Sequence, residues 1–265
     1  MLQYEFMQNA AIVATVISIL CGVIGVFITA RHLSFLTHTM SEIGFSGASF
    51  GLWMGWTPLN GMLLFTVLSA LAAGTVNKNR PLKSTAISLI SAFFMGLGVL
   101  FLSISQASSS YATNILFGSI VGISRADVVQ ISVIAVLELT VILLIYRPLK
   151  FDFFDPLGAQ SGIRFSGSIN LVFLIMMSLS VSMVSQIVGA LLVFALLTLP
   201  AAAAQFWGKT VHALIGWSIL FALLGTWLGL ALGYWTNLPV TFFITTIESI
   251  IYLIAWGSSK LKQAL

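Results

Sequence analysis

Hydrophobic residues run along this chain in long continuous blocks, not at the spacing of an amphipathic helix or a half-buried strand. Each block approaches the roughly 20 apolar residues that carry a helix across a bilayer. Charges, prolines and polar clusters break the sequence into nine such blocks, at residues 10–30, 34–56, 58–76, 84–104, 127–146, 169–187, 188–206, 211–234 and 238–257. The sixth and seventh nearly run together around Gln186 and Gly189, so a count of eight is the alternative. A transmembrane β-barrel would need short stretches of alternating polarity, and segments such as 135–145 and 191–199 are unbroken. Backbone polar groups in lipid must be satisfied within each segment, which leaves helices. The expected fold is an all-α integral membrane protein, a polytopic bundle of eight or nine transmembrane helices forming one domain over residues 1–265.

Two stretches do not fit as plain spans. Residues 103–125 hold a run of Ser and Thr, then a short apolar piece at 115–123 with Gly118 and Gly122, and read as a re-entrant or surface element. Residues 150–168, with Asp155, Pro156, Gly158 and Gly162, read as the longest cytoplasmic loop and a docking surface. No internal repeat of the secondary-transporter kind is evident.

Composition agrees with the pattern. Of the 265 residues, 59% are hydrophobic and 7% charged, against about a quarter charged in soluble domains. The net charge of +4 rests on few residues and bears on orientation, not on nucleic acid. Cytoplasmic loops collect Lys and Arg. Arg31, the Lys78–Arg80–Lys83 group, Arg147 with Lys150 and Arg164, Lys209, and Lys260 with Lys262 follow alternate blocks. That places the N-terminus outside and the C-terminus inside, with Arg125 as the one exception. Glu5, in place of a basic run, argues against a cleaved signal peptide. The single cysteine, Cys21, forms no internal disulfide.

Ionisable groups inside spans cost about 2.5–3.5 kcal/mol each on insertion scales. Four stand out: His38, Glu42, Glu138 and Glu248. His38 and Glu42 stand at i and i+4, on one helix face with Cβ atoms about 5–6 Å apart. Imidazole and carboxylate are ligands that Zn²⁺ or Mn²⁺ accepts, and a transport site should hold its ion loosely. A hydrogen-bonded pair at a helix end is the plainer reading. Gly44, Ser46, Gly47, Ala48 and Gly51 beside the pair allow either close helix contact or a broken helix. Glu138 reads as an acid hydrogen-bonded to a neighbouring helix. Glu248 shares its block with Thr241, Thr245 and Thr246, a polar stripe that suits a pore. Gly208–Lys209–Thr210 ends like a phosphate-binding loop, but Ala203 stands where the first glycine is required and an apolar helix precedes it. Nothing suggests an enzyme, and any ATP hydrolysis belongs to another subunit.

Several motifs resemble the permease subunits of ATP-binding-cassette importers for zinc and manganese. The strongest is the run Arg31 to Glu42 followed by Gly47 and Ala48. Others are Leu116–Phe117–Gly118–Ser119 with Ser124–Arg125–Ala126–Asp127, Phe154–Asp155–Pro156 with Gly162, and Gln186 through Pro200–Ala201–Ala202. The resemblance implies that His38 and Glu42 are the metal-path pair, although here the order of acid and imidazole is exchanged. Asn237 stands where the family often has Asp before Leu–Pro, so Asn237 and Glu248 form a possible second polar site. It further implies a homodimer in a bacterial plasma membrane, embedded in lipid. A cytoplasmic ATP-binding subunit would dock on residues 201–213, with Gln205, Lys209 and His212, and on Asp155. An extracellular metal-binding protein would deliver the ion. The metal is cargo, zinc favoured slightly over manganese, with no permanently bound cofactor. The competing reading is a proton-coupled secondary transporter using Glu42, Glu138 and Glu248.

Overall fold

The structure, a computed structural model, describes residues 4–76, 84–105, 114–118, 123–154, 166–190 and 192–264. Among these residues there is no strand. The helices are α1 (Glu5–Ala30), α2 (Ser34–Trp53), α3 (Pro58–Val76), α4 (Ser84–Ile104), α5 (Arg125–Leu144), α6 (Tyr146–Phe154), α7 (Ser166–Val188), α8 (Val193–Ala204), α9 (Val211–Thr236) and α10 (Val240–Ala264). Each of the nine apolar blocks overlaps one of them, the seventh, 188–206, only in the shorter α8, and α6 is additional.

Among the described residues, six helices, α1, α4, α5, α7, α9 and α10, are long and apolar enough to cross a membrane. Helix α2 has 20 residues, but His38, Glu42 and its many Ser, Thr and Gly residues leave it outside that group. Helix α8 has 12 residues, about 18 Å at 1.5 Å per residue, so the expected seventh span is shorter than a bilayer crossing. Residues 150–154, expected as loop, are the end of α6; Asp155 and the rest of that stretch lie outside the described residues.

Two compact, discontinuous units divide the chain. The first comprises residues 1–34, 120–136 and 194–265. Its framework is α1 packed on α9, and α9 on α10. Glycine makes the second contact close. A Cβ at Gly225, Gly229 or Gly233 would lie 2.7 Å from Glu248 Cγ, 2.5 Å from Ile244 Cγ1 and 2.5 Å from Val240 Cγ2 respectively. Spaced four apart, these glycines put one smooth face of α9 against α10. A second tie is polar: Ser18 of α1 and Thr226 of α9 share a hydrogen bond of 2.7 Å. At the start of the chain, Glu5 Oε1 meets Arg125 Nε at 2.6 Å. The one cation that broke the loop alternation is therefore neutralised by an acid at the same end of its unit.

The second unit comprises residues 35–119 and 137–193, and α3 packs along α7. Helices α2 and α3 cross where Gly47 and Gly61 face each other, and a Cβ on either would overlap the other's carbonyl oxygen. The glycines around His38 and Glu42 thus serve close contact, and α2 is unbroken. Phe50, Trp53, Trp56 and Phe101 cluster where α2 turns into α3, an arrangement suited to a membrane interface.

Candidate functional site

Within the second unit, His38 and Glu42 lie on one face of α2. His38 Nδ1 is 3.6 Å from Glu42 Oε2, an ion-pair distance too long for a good hydrogen bond. His38 is 43% exposed and Glu42 16%. The pair therefore has one accessible member and one mostly covered member. No group of three or more His, Cys, Asp or Glu that could hold a metal occurs among the described residues, where His38 and Glu42 stand as a pair.

The neighbouring face of α2 meets the break between α7 and α8. Helix α7 ends at Val188, and Gly189 takes φ +91°, where it crosses Gly118 at φ +77°. Their backbones touch so closely that a Cβ on either would overlap the other segment, and Ala190 N donates to Ile115 O at 3.1 Å. Ser41, the residue before Glu42, donates from Oγ to the Ala190 carbonyl, and its Oγ lies 3.4 Å from Ser185 Oγ. Non-helical backbone at membrane depth is tolerated where protein surrounds it or a cavity is lined by it. Here the break is tied to the helix that carries the pair.

A buried hydroxyl array continues along α7. Ser182 bonds Thr66 at 2.7 Å, and Ser180 donates to Glu138 Oε1 at 2.6 Å. Glu138 is thus a buried acid held by a neighbouring helix, as its mid-block position suggested. On the opposite face of α2 lies a cavity of about 400 Å³, lined by Met40, Ile43, Phe65, Leu68 and Phe94 among others. With only Thr39 and Ser69 polar in its wall, it offers an ion nothing.

The remaining candidates among the described residues fall in the first unit. Asn237 is an exposed C-cap of α9 with φ 55°. Glu248 sits eight residues into α10, about 12 Å along the helix at 1.5 Å per residue, so the two do not adjoin. Glu248 is 1% exposed, packs against Gly225, and neither carboxyl oxygen has a hydrogen-bond partner among the described residues. It lines no open path in this arrangement.

Gln205, Lys209 and His212 are all exposed at the α8–α9 corner. Their support is rigid. Trp207 donates from Nε1 to Ser258 Oγ at 2.9 Å and packs edge-on to Trp217 at 5.0 Å and Phe221 at 5.4 Å. Gly208 N bonds Ala204 O at 2.8 Å, and Thr210 Oγ1 caps α9 by accepting from Ala213 N. Ala203 is wholly buried with Ala204, Phe221 and Ala255, so only part of residues 201–213 is a surface. Sequence reading missed this division, because an alanine-rich run looks the same exposed or packed.

The sequence model described as the ABC 3 transport family matches residues 3–258. The manganese import system permease protein ScaB of Streptococcus parasanguinis is 31% identical over 256 residues, covering 96% of this chain and 91% of that protein. The manganese transport system membrane protein MntC of Listeria monocytogenes is 29% identical over 262 residues, covering 97% and 91%. Among solved structures, PsaBC from Streptococcus pneumoniae in complex with Fab matches with a TM-score of 0.87 at 27% identity, over 96% of this chain and 92% of that one.

Proposed function

The chain belongs to the ABC 3 transport family, a multi-pass membrane permease, and on that premise we propose that it imports a divalent transition-metal ion, manganese ahead of zinc. The metal enters through the His38–Glu42 pair, whose imidazole and carboxylate meet across 3.6 Å on α2. That pair is the observation that carries the substrate reading. Manganese is put first because ScaB and MntC, the relatives compared above, are named for it. Zinc stands as the second reading, favoured by the nitrogen ligand beside the carboxylate.

Two ligands from one helix leave a divalent ion under-coordinated. The remainder comes from water, from backbone or hydroxyl oxygen, or from a second copy of the chain, and weak, exchangeable coordination is what release in transit requires. We assign nucleotide binding to another subunit, because Gly208–Lys209–Thr210 of this chain follows a helix and forms a corner, not a phosphate loop after a strand. Its partners are accordingly a cytoplasmic ATP-binding subunit, seated against Gln205, Lys209 and His212, and an extracellular metal-binding protein. Asp155 is a further docking candidate by sequence.

The test is uptake of manganese and zinc by cells whose sole copy of this chain carries His38→Ala or Glu42→Ala. Loss of uptake is expected, with normal amounts of chain in the membrane. Wild-type uptake by the double variant would sink the metal-path assignment. Loss of the chain from the membrane in both variants would point instead to a structural pair.

A further inference from the structure

We propose that Ser46 is a third ion-path residue, a neutral oxygen ligand at the closed end of the α2 stripe that begins with His38 and Glu42. The inference rests on reading that pair as part of the metal path and extends it inward by one helical turn.

Spacing comes first. Ser46 follows Glu42 at i+4, which puts it on the same helix face with Cβ atoms about 5–6 Å apart. Exposure falls along this stripe, from side chains 43% exposed at His38 and 16% at Glu42 to a wholly buried residue at Ser46. A polar line that starts open and ends sealed is the form a path has when its far side is closed.

The hydroxyl itself is the second observation. Serines and threonines inside helices ordinarily bond back to a carbonyl a turn earlier. In the same unit Ser49 bonds Phe45 O at 2.9 Å, Thr66 bonds Met62 O at 2.9 Å and Ser182 bonds Ser178 O at 3.0 Å. Ser46 Oγ is buried with no hydrogen-bond partner among the described residues. Buried polar groups without partners are rare, and each calls for an explanation. Ser218 of α9 is in the same condition, but Leu214 and Ala222, a turn either side of it, offer no ligand. Ser46 has a carboxylate one turn away and an imidazole two turns away. Gly98 of α4 lies over it, its absent Cβ falling 3.2 Å from Ser46 Cα, so protein and not lipid covers the position.

The chemistry is the third. The pair offers one nitrogen and one carboxylate, and no third His, Cys, Asp or Glu joins them among the described residues. Mn²⁺ accepts neutral oxygen donors alongside carboxylate. A hydroxyl that has kept its lone pairs free supplies one without adding charge that would hold the ion too tightly to pass.

The experiment measures Mn²⁺ uptake by cells expressing the whole chain with its partner subunits, comparing wild type, Ser46→Ala and Ser46→Cys. Both variants nearly preserve side-chain volume, and the chain is quantified in the membrane in each case. Ser46→Ala should raise KM for Mn²⁺ roughly tenfold, the loss of one weak ligand. Ser46→Cys should make Cd²⁺ a roughly tenfold stronger inhibitor of Mn²⁺ uptake, because a sulfur ligand selects softer cations. A purely structural serine would move neither the KM nor the cation order. A KM within about twofold of wild type in Ser46→Ala, or unchanged Cd²⁺ inhibition in Ser46→Cys, overturns the assignment. His38→Ala and Glu42→Ala run alongside: if they abolish uptake while the Ser46 variants behave as wild type, this inference alone falls. Normal uptake in those two would bring down the underlying reading, and this one with it.

Discussion

Glu42, Glu138 and Glu248, acids within the longer helices, are held in three different ways. Glu42 keeps an imidazole within 3.6 Å and stays partly open. Glu138 is buried and receives one hydrogen bond, from Ser180 at 2.6 Å. Glu248 is buried with neither oxygen partnered among the described residues. Ser180→Ala would therefore strip Glu138 of the hydrogen bond that the structure gives its carboxyl. The cost of leaving a buried polar group unsatisfied is about 1–3 kcal/mol, so the thermal midpoint of the detergent-solubilised protein should fall clearly. Glu138→Gln keeps an acceptor for the serine and should unfold close to wild type. An unchanged midpoint in Ser180→Ala would show that this bond contributes nothing.

At the scale of elements, helix limits were legible wherever local chemistry marks them. The turn at Thr57 and Pro58 starts α3 where expected, and α4 runs over the expected residues 84–104. Local sequence could not show which apolar run is a full crossing. Block 188–206 is predominantly apolar, yet Gly189 at φ +91° and its contact with Gly118 cut it to the short α8. Nor could it show the Glu5–Arg125 pair, whose members are far apart in sequence, or that Ala203 faces inward. The site was legible as an i, i+4 pair, because helical spacing alone brings His38 and Glu42 together. Ser46 was noticed only as a small residue, since an unpartnered hydroxyl is a property of packing. Close glycine crossings are the elements' main constraint. Gly61→Leu should abolish monodisperse protein on size exclusion, because its side chain would enter the Gly47 backbone, whereas overpacking a yielding core costs about 1–3 kcal/mol. Gly96→Leu, in α4 with nothing within 4 Å of its Cβ position, should be tolerated. Equal yields of the two would show that the crossing can open.

For the whole molecule, orientation and energy source are linked, because the proposed docking corner must lie on the side where ATP is. The distribution of Lys and Arg predicts that the exposed Lys209 and Lys260 lie inside and the exposed Thr57 outside. With Cys21 replaced, Thr57→Cys should react with an impermeant thiol reagent in intact cells and Lys260→Cys should not. That labelling pattern would put the α8–α9 corner at the inner face. Trp207 locks that corner to Ser258 of α10 and to Trp217 and Phe221 of α9, so a push on it moves packed helices and not a loose loop. Rigid-body transmission of this kind is how nucleotide-driven closure of a soluble partner would reach the spans. Charge substitution must spare the buried Ala203, where it would break the core, and fall on the surface instead. Gln205→Glu with Lys209→Glu changes two exposed positions and leaves α2 and its pair untouched. We expect that variant to fold and to lose uptake by roughly tenfold or more, the loss of about 1.4 kcal/mol of coupling, while the partner ATPase still hydrolyses ATP. Wild-type uptake by the double variant would dismiss the corner as the docking surface. Uptake that persists with the ATPase inactivated, and stops when the proton gradient collapses, would mean that ATP is not the energy source at all.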